Sequence, residues 1–340
     1  MSTNDTLYIG NRETSLLADA DTDTVYFSNW LPKECPKLFK NLKEILTAND
    51  VDCRLLQKTN DIWCRDFMPI QTEDNRFVSY NYYPNYLNNP KDKKYITNAK
   101  KVGNVDFLKW GDNVVELDLI IDGGNVVKCG NKIVMTEKVF VENSNLTHEE
   151  VIKRLTDAFQ CEIVFIPWDR EEKYGHSDGV IHYLGGNRVL MTNYEQLDAE
   201  MAEKFHQVLD KHFEVVSLKY DVETLNENSW AYINYLQIDD LVLVPHLGIP
   251  EDEQARQQIQ SFLPECNVIS VPDAMEAVKD GGAFNCISWN IKAPIDNQKL
   301  VEAYHKLAQN VVKEQQKRPP TNEEARRQTR IINGLIDEDK

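Results

Sequence analysis

Cys286 sits in the segment Asp280-Gly281-Gly282-Ala283-Phe284-Asn285-Cys286. Paired glycines just before a thiol let the backbone approach a ligand closely or take positive φ. His176 and Asp178 stand two residues apart in Gly175-His176-Ser177-Asp178-Gly179. An extended backbone there would put both side chains on one side. A thiol, an imidazole and carboxylates together can carry out thiolate catalysis with a proton-transfer partner. Asp178 also belongs to a series. Asp122 lies 56 residues before it and Asp66 another 56 before that; Asn234 lies 56 residues after it, and 52 more lead to Cys286. Five similar units are implied, each offering one polar or reactive residue at an equivalent place, as in an array or a closed ring. If the ring closes, three acids, an amide and a thiol converge on its axis.

The elements that must position these residues repeat in the same register. Leu38/Phe39/Leu42/Ile45/Leu46, Val151/Ile152/Leu155/Ala158/Phe159, Met201/Ala202/Phe205/Val208/Leu209 and, less completely, Ala255/Ile259/Phe262/Leu263 share one apolar spacing. Each predicts an amphipathic helix with a buried stripe. Strand candidates follow at 51–56, 163–166, 215–218 and 268–271. Asn75-Arg76, Asn131-Lys132, Asn187-Arg188 and Asp239-Asp240 then enter apolar runs, which is the pattern of a hairpin turn. Residues 81–112 are rich in Asn, Lys, Tyr and Gly, lack a helix pattern, and read as a long loop of the kind that lines binding sites. Beyond Pro294 the register is lost. Residues 298–315 read as helical, and Thr321-x-x-Glu324 resembles a capping box. The expected organisation is an α/β catalytic domain over 1–293 and a helical extension over 294–340, an accessory element for packing or for homo-oligomer formation.

Charge narrows the function. The 340 residues carry 38 Lys+Arg against 55 Asp+Glu, a net charge of −17. That argues against binding nucleic acid phosphates or anionic lipid and is compatible with a cationic substrate. No run of 18 apolar residues and no basic-then-apolar leader is present, so neither a transmembrane helix nor a signal peptide is expected. Seven widely spaced cysteines without C-x-x-C read as reduced thiols of a cytoplasmic protein, most of them buried. No ligand pair at metal-site spacing and no phosphate loop occurs, so no metal is expected. Gly123-Gly124 and Gly185-Gly186 read as hairpin turns.

Four segments resemble a known family. Asn60-Asp61-Ile62-Trp63-Cys64-Arg65-Asp66-Phe67-Met68-Pro69 is similar to the N-D-x-W-x-R-D-x-x-P segment of agmatine deiminases and Porphyromonas-type peptidylarginine deiminases. Asp122-Gly123-Gly124-Asn125 resembles their acidic-Gly-Gly-Asn segment, Gly175-His176-Ser177-Asp178 their G-H-x-D, and Gly281 to Cys286 the segment carrying their nucleophile. The motifs run in order over roughly residues 25–293. Asn285 stands where the family often has His, Ser288 where Thr is common, Asp122 where Glu is frequent, and Met68 where Gly is common.

The resemblance implies a five-fold pseudosymmetric α/β propeller, the pentein fold, with its active site on the central axis. It implies Cys286 as nucleophile, His176 as general acid/base, and Asp66 and Asp178 as holders of a planar guanidinium through charge-assisted hydrogen bonds. Trp63, Asp122, Asn234 and Gly282 complete the expected substrate-binding set. Asp122 and Asn234 are read there as supports, and Trp63 as either channel wall or core. Arg65 is expected to pair with a buried carboxylate and Cys64 to be structural. The implied reaction turns a small cationic guanidino substrate, agmatine first, into its ureido product (N-carbamoylputrescine) and ammonia. It passes through a covalent thiouronium on Cys286 and needs no cofactor. Free arginine, peptidylarginine, amidino transfer and a non-catalytic binding role on the same fold are the alternatives.

Overall fold

The computed structural model describes residues 16–73 and 75–293. Among these residues, fifteen strands form five sheets of three. In chain order they are β1 (Thr24–Ser28), β2 (Asp52–Leu56), β3 (Ile70–Glu73), β4 (Arg76–Asn81), β5 (Val114–Ile120), β6 (Val127–Cys129), β7 (Lys132–Thr136) and β8 (Glu162–Ile166). Then come β9 (Ile181–Gly185), β10 (Arg188–Met191), β11 (Glu214–Ser217), β12 (Leu236–Ile238), β13 (Leu241–Pro245), β14 (Asn267–Val271) and β15 (Ser288–Ile291). Every sheet has one plan: the middle strand pairs antiparallel with one neighbour and parallel with the other. In four sheets the antiparallel pair is a hairpin. In the fifth, β15 returns from the far end of the described chain to pair with β1, with Phe27 opposite Ser288.

The hairpin turns use residues suited to left-handed backbone: Asn75 (φ 64°), Gly130 (φ 65°), Gly186 (φ 61°) and Asp239 (φ 51°). Asn and Asp tolerate this region and Gly enters it freely, which explains the polar turns that recur in the sequence. The parallel partner cannot be reached by a tight turn and needs a crossover. Helices Pro36–Ala48, His148–Phe159, Ala199–Leu209 and Glu251–Phe262 make four of the crossovers. Thr147 and Glu150 form a capping box at the start of the second of these.

Each helix wedges its apolar stripe between consecutive sheets. Leu38, Leu42 and Leu46 pack with Phe27 on β1 and with Leu241 and Leu243 on β13. Ala202, Phe205 and Leu209 join Val134 and Val189, and Ala255 and Ile259 join Leu190 and Val242. The crossover from β4 to β5 has no such helix. It is the predicted loop, broken by short 3-10 turns at Asn85–Leu87, Lys93–Tyr95 and Ala99–Lys101. Here Phe107 fills the wedge position, stacked on Trp289 at 6.1 Å between centroids and close to Tyr26 and Phe77. Packing therefore runs from sheet to sheet, and the described residues form a five-fold pseudosymmetric α/β propeller. The expected helical extension, 294–340, lies outside the described residues. Among those described, no helix is long and apolar enough to cross a membrane.

Candidate active site

The five equivalent residues sit in tight turns just before the first hairpin strand of a unit, or just before β15. Asp66 lies in the turn Cys64–Phe67, Asp178 in Ser177–Gly179 and Asn234 in Ser229–Asn234, while Asp122 precedes Gly123–Asn125. These turns meet on the pseudo-axis. The Gly124 N–H donates to Asp66 Oδ1 (3.0 Å), so Gly123-Gly124 is not a hairpin turn as expected; its missing side chain makes room at the centre. A Cβ on Gly124 would stand 2.7 Å from His176 Nδ1, 2.8 Å from Asp66 Oδ1 and 3.2 Å from Asp178 Oδ1. His176 and Asp178 both face the site, but through a 3-10 turn rather than the extended backbone that alternation assumed.

Cys286 Sγ lies 3.6 Å from Asp178 Oδ2, and Asn285 Nδ2 donates to that same oxygen at 2.7 Å. Asn234 Oδ1 accepts from the N–H groups of Ala283 (3.2 Å) and Cys286 (3.1 Å), and its Nδ2 donates to the Asp178 carbonyl (3.3 Å). Asn234 thus ties the thiol loop to the Asp178 turn. His176 Nε2 meets Asp122 Oδ2 at 2.9 Å, and its Nδ1 lies 3.7 Å from Asp66 Oδ1. The Arg65 N–H reaches the Cys286 carbonyl (3.2 Å). Its guanidinium donates to the Asn285 carbonyl and to Asn290 Oδ1, not to a carboxylate as expected.

Above the cluster opens a cavity of about 1040 Å³. Asp66, His176, Asp178, Asn234, Gly282 and Cys286 form its floor, and Trp63, Tyr82, Tyr86, Tyr174 and Trp230 its walls. Trp63 is therefore channel wall. A Cβ on Gly282 would come within 2.3 Å of the Trp63 ring, and Gly281 (φ 95°) lies against Tyr174. Both glycines are required by close approach. The long loop reaches the cavity through Tyr82, Tyr86 and Leu87, as expected of it. Asp122 does not line the cavity. Its side chain is fully buried behind His176, which corrects its place in the expected substrate-binding set. Cys64 is buried away from the cavity, its thiol donating to the Ile287 carbonyl at 2.9 Å. All seven cysteines are unpaired.

Burial and mutual charge set the proton inventory. Burial pushes the Asp66 carboxyl up to about 7, with His176 pulling the other way. Asp178 is also raised by burial. Burial would lower His176, but Asp66 and Asp122 outweigh it and hold the imidazole at about 9. The Cys286 thiol is pushed well above its usual range by burial first, then by Asp178 and Asp66. Burial alone would raise Asp122, but Lys138 and His176 keep it below the ordinary carboxylate range. At neutral pH these shifts leave His176 as an imidazolium and Cys286 as a protonated thiol. A cation bridging Asp66 and Asp178 would offset the two charges that most oppose the thiolate.

Sequence reasoning missed Lys138 and Glu142. Lys138 Nζ is fully buried against Asp122 and Glu142, yet in sequence the two are an ordinary i,i+4 surface pair. Asp61, within the recognised motif, was also passed over. It lines the cavity, caps the Trp63 N–H at 3.0 Å, and is pushed up to about 8 by burial.

A five-unit propeller with a thiol, an imidazole and two carboxylates on its axis defines the pentein class of guanidino-group-modifying enzymes, here hydrolases of C–N bonds in linear amidines. The chain belongs to the Porphyromonas-type peptidyl-arginine deiminase family, whose family model matches residues 34–291. A protein of Enterococcus faecalis with the provisional name agmatine deiminase is 24% identical over 277 residues, covering 67% of this chain and 74% of the relative. The solved structure of an agmatine deiminase from C. jejuni superposes with a TM-score of 0.65 at 18% identity, covering 83% of this chain and 97% of the other. That of an E. faecalis agmatine deiminase gives 0.63 at 16%, covering 84% and 99%.

Proposed function

We propose that the protein deiminates agmatine to N-carbamoylputrescine and ammonia. The observation that carries this choice is the charge of the cavity. Among the described residues, ten of its lining side chains are acids, and they face one lysine, Lys173, the His176 imidazolium on the floor, and no arginine. Agmatine is cationic at both ends. Free arginine would bring an α-carboxylate into this field with only the exposed Lys173 to meet it away from the floor, and like charges at close range oppose binding. The names of the relatives support the same substrate. Seven unpaired thiols support a reducing, cytoplasmic setting.

The proposed steps follow from the floor of the cavity. Asp66 and Asp178 grip the guanidinium by charge-assisted hydrogen bonds, each contributing about 1.5–3 kcal/mol. The bound cation stabilises the Cys286 thiolate, and the thiol proton departs to solvent. Sulfur adds to the guanidinium carbon, giving a neutral tetrahedral adduct. The His176 imidazolium donates its proton to one nitrogen, the C–N bond breaks, and ammonia leaves. A cationic thiouronium remains on Cys286, beside Asp178. Water then adds to that carbon as the now neutral His176 takes its proton. The C–S bond breaks, sulfur leaves as thiolate, the hydroxyl of the carbon loses its proton to solvent, and the ureido product departs. Orientation of carbon against sulfur is the main contribution of the two carboxylates. Trp63 and Gly282 complete the wall beside the reacting carbon.

The test is a panel of agmatine, arginine and a blocked peptidylarginine, with ammonia and ureido product measured separately. Agmatine should exceed arginine in kcat/KM by 100-fold or more, a difference of about 2.7 kcal/mol. Equal rates on arginine would refute the substrate. Ammonia without ureido product would refute the reaction.

A further inference from the structure

We propose that Lys138 is a positioning residue for His176, acting through Asp122. It fixes the carboxylate against the ring and takes up part of its charge, so that the imidazolium can still release its proton. The inference rests on reading His176 as the acid/base.

Lys138 opens the short helix Lys138–Glu142, which follows β7. Its ammonium is completely buried, contacts Asp122 Oδ2, and lies 3.3 Å from Glu142 Oε1. His176 Nε2 uses that same Asp122 oxygen, at 2.9 Å. Asp122 Oδ1 has no hydrogen-bond partner among the described residues. The aim of the carboxylate therefore depends on the two cations that share Oδ2. An aspartate held by the ring alone could turn about its last torsion, which is broad.

Charge points the same way. The groups facing His176 are Asp66 at 3.7 Å, Asp122, and Asp178 with the Cys286 thiol across the floor. The rings of Tyr86 and Tyr174 stand 6.2 and 6.1 Å away, and Glu142 acts from behind Lys138. Carboxylates dominate this set, and each holds the proton on the imidazole more firmly. Lys138 opposes them. It stays charged although burial acts against it, because Asp122 and Glu142 outweigh burial. The same residue also steadies the cavity wall: Nζ lies 5.0 Å from the centre of the Tyr86 ring, and Glu142 accepts the Asn85 N–H at 3.3 Å.

The test uses the full chain with Lys138→Met, which removes the charge and keeps the length. Lys138→Gln, which removes the charge but leaves an amide to donate to Asp122, serves if the first variant folds poorly. The His176 ring is titrated by NMR with labelled histidine, and kcat/KM on agmatine is measured against pH. The imidazole titration should move up by about one pH unit or more, carrying the high-pH limb of kcat/KM with it, while kcat falls several-fold because the imidazolium is a weaker acid. A raised ring titration with an unmoved activity limb would support Lys138 and overturn the acid/base reading of His176. A ring titration unchanged or lowered in a folded variant, whatever the loss of activity, would overturn the proposal. Failure of both variants to fold would overturn it too, since the role of Lys138 would then be structural only.

Discussion

Replacing Gly124 by alanine sets a methyl group among three of the side chains that meet on the axis. The added carbon would lie 2.7 Å from His176 Nδ1, 2.8 Å from Asp66 Oδ1 and 3.2 Å from Asp178 Oδ1, where ordinary contact begins near 3.4 Å. The imidazole and the Asp66 carboxylate must each retreat by about 0.6–0.7 Å, and a 1 Å error in a reacting group costs roughly 100-fold. Neither can swing freely. His176 is held from behind by Asp122, and Asp66 by the Gly124 N–H itself. A loss of roughly 30- to 100-fold in kcat/KM is therefore expected. The fold should survive, because Gly124 is not among the positive-φ glycines. Crowding of this kind costs about 1–3 kcal/mol, a drop of a few degrees to about 10 °C in thermal unfolding, so the variant remains folded at assay temperature. Gly179→Ala is the control: it lies on the same cavity, and its Cβ would meet nothing within 4 Å. The assay is ammonia release from agmatine beside thermal unfolding of both variants. Gly124→Ala activity within threefold of the parent would refute the packing of these groups around Gly124.

The pH profile follows from the two shifted groups. Asp66 must be ionised to hold the guanidinium, so kcat/KM should rise as pH passes about 7. His176 must be protonated to expel ammonia, so it should fall as pH passes about 9; a limb near the ordinary carboxylate range of about 4 would show that Asp66 is not the group being titrated. Cys286→Ser should abolish turnover, a hydroxyl being far less ionised than a thiol, and leave thermal unfolding within a few degrees of the parent. An adduct of agmatine mass should appear on Cys286 in the parent during turnover, and one on Cys64 instead would move the nucleophile.

Much of this was readable along the chain. The 56-residue spacing tied Asp66, Asp122, Asp178 and Asn234 to equivalent turns, and the 52-residue step to Cys286 held as well. Helix stripes such as Leu38/Leu42/Leu46 and turn residues such as Asn75 and Asp239 are local devices, and local physics suffices to recognise them. The errors arose where a residue's partner is distant in sequence. Gly123-Gly124 has the composition of a hairpin turn; only the arrival of His176 and Asp178 from the next unit makes it a cradle. Arg65 finds backbone and amide oxygens, Asn285 and Asn290, brought by the last strand, and nothing near Arg65 in sequence foretells them.

The sequence by itself determined the repeating unit, because helix and hairpin patterning answers to neighbours a few residues away. It also determined which residue types stand at the repeated position. Only the tertiary structure decided that the ring closes, with β15 pairing back to β1, since that register depends on two segments some 260 residues apart. It also decided what each acid does. Asp66, Asp122 and Asp178 are equivalent in sequence register, but the first and third open onto the cavity while the second is sealed behind His176 with Lys138 and Glu142. Burial and the charges that surround a carboxylate set its proton affinity and its reach, and those surroundings exist only once all five units are packed.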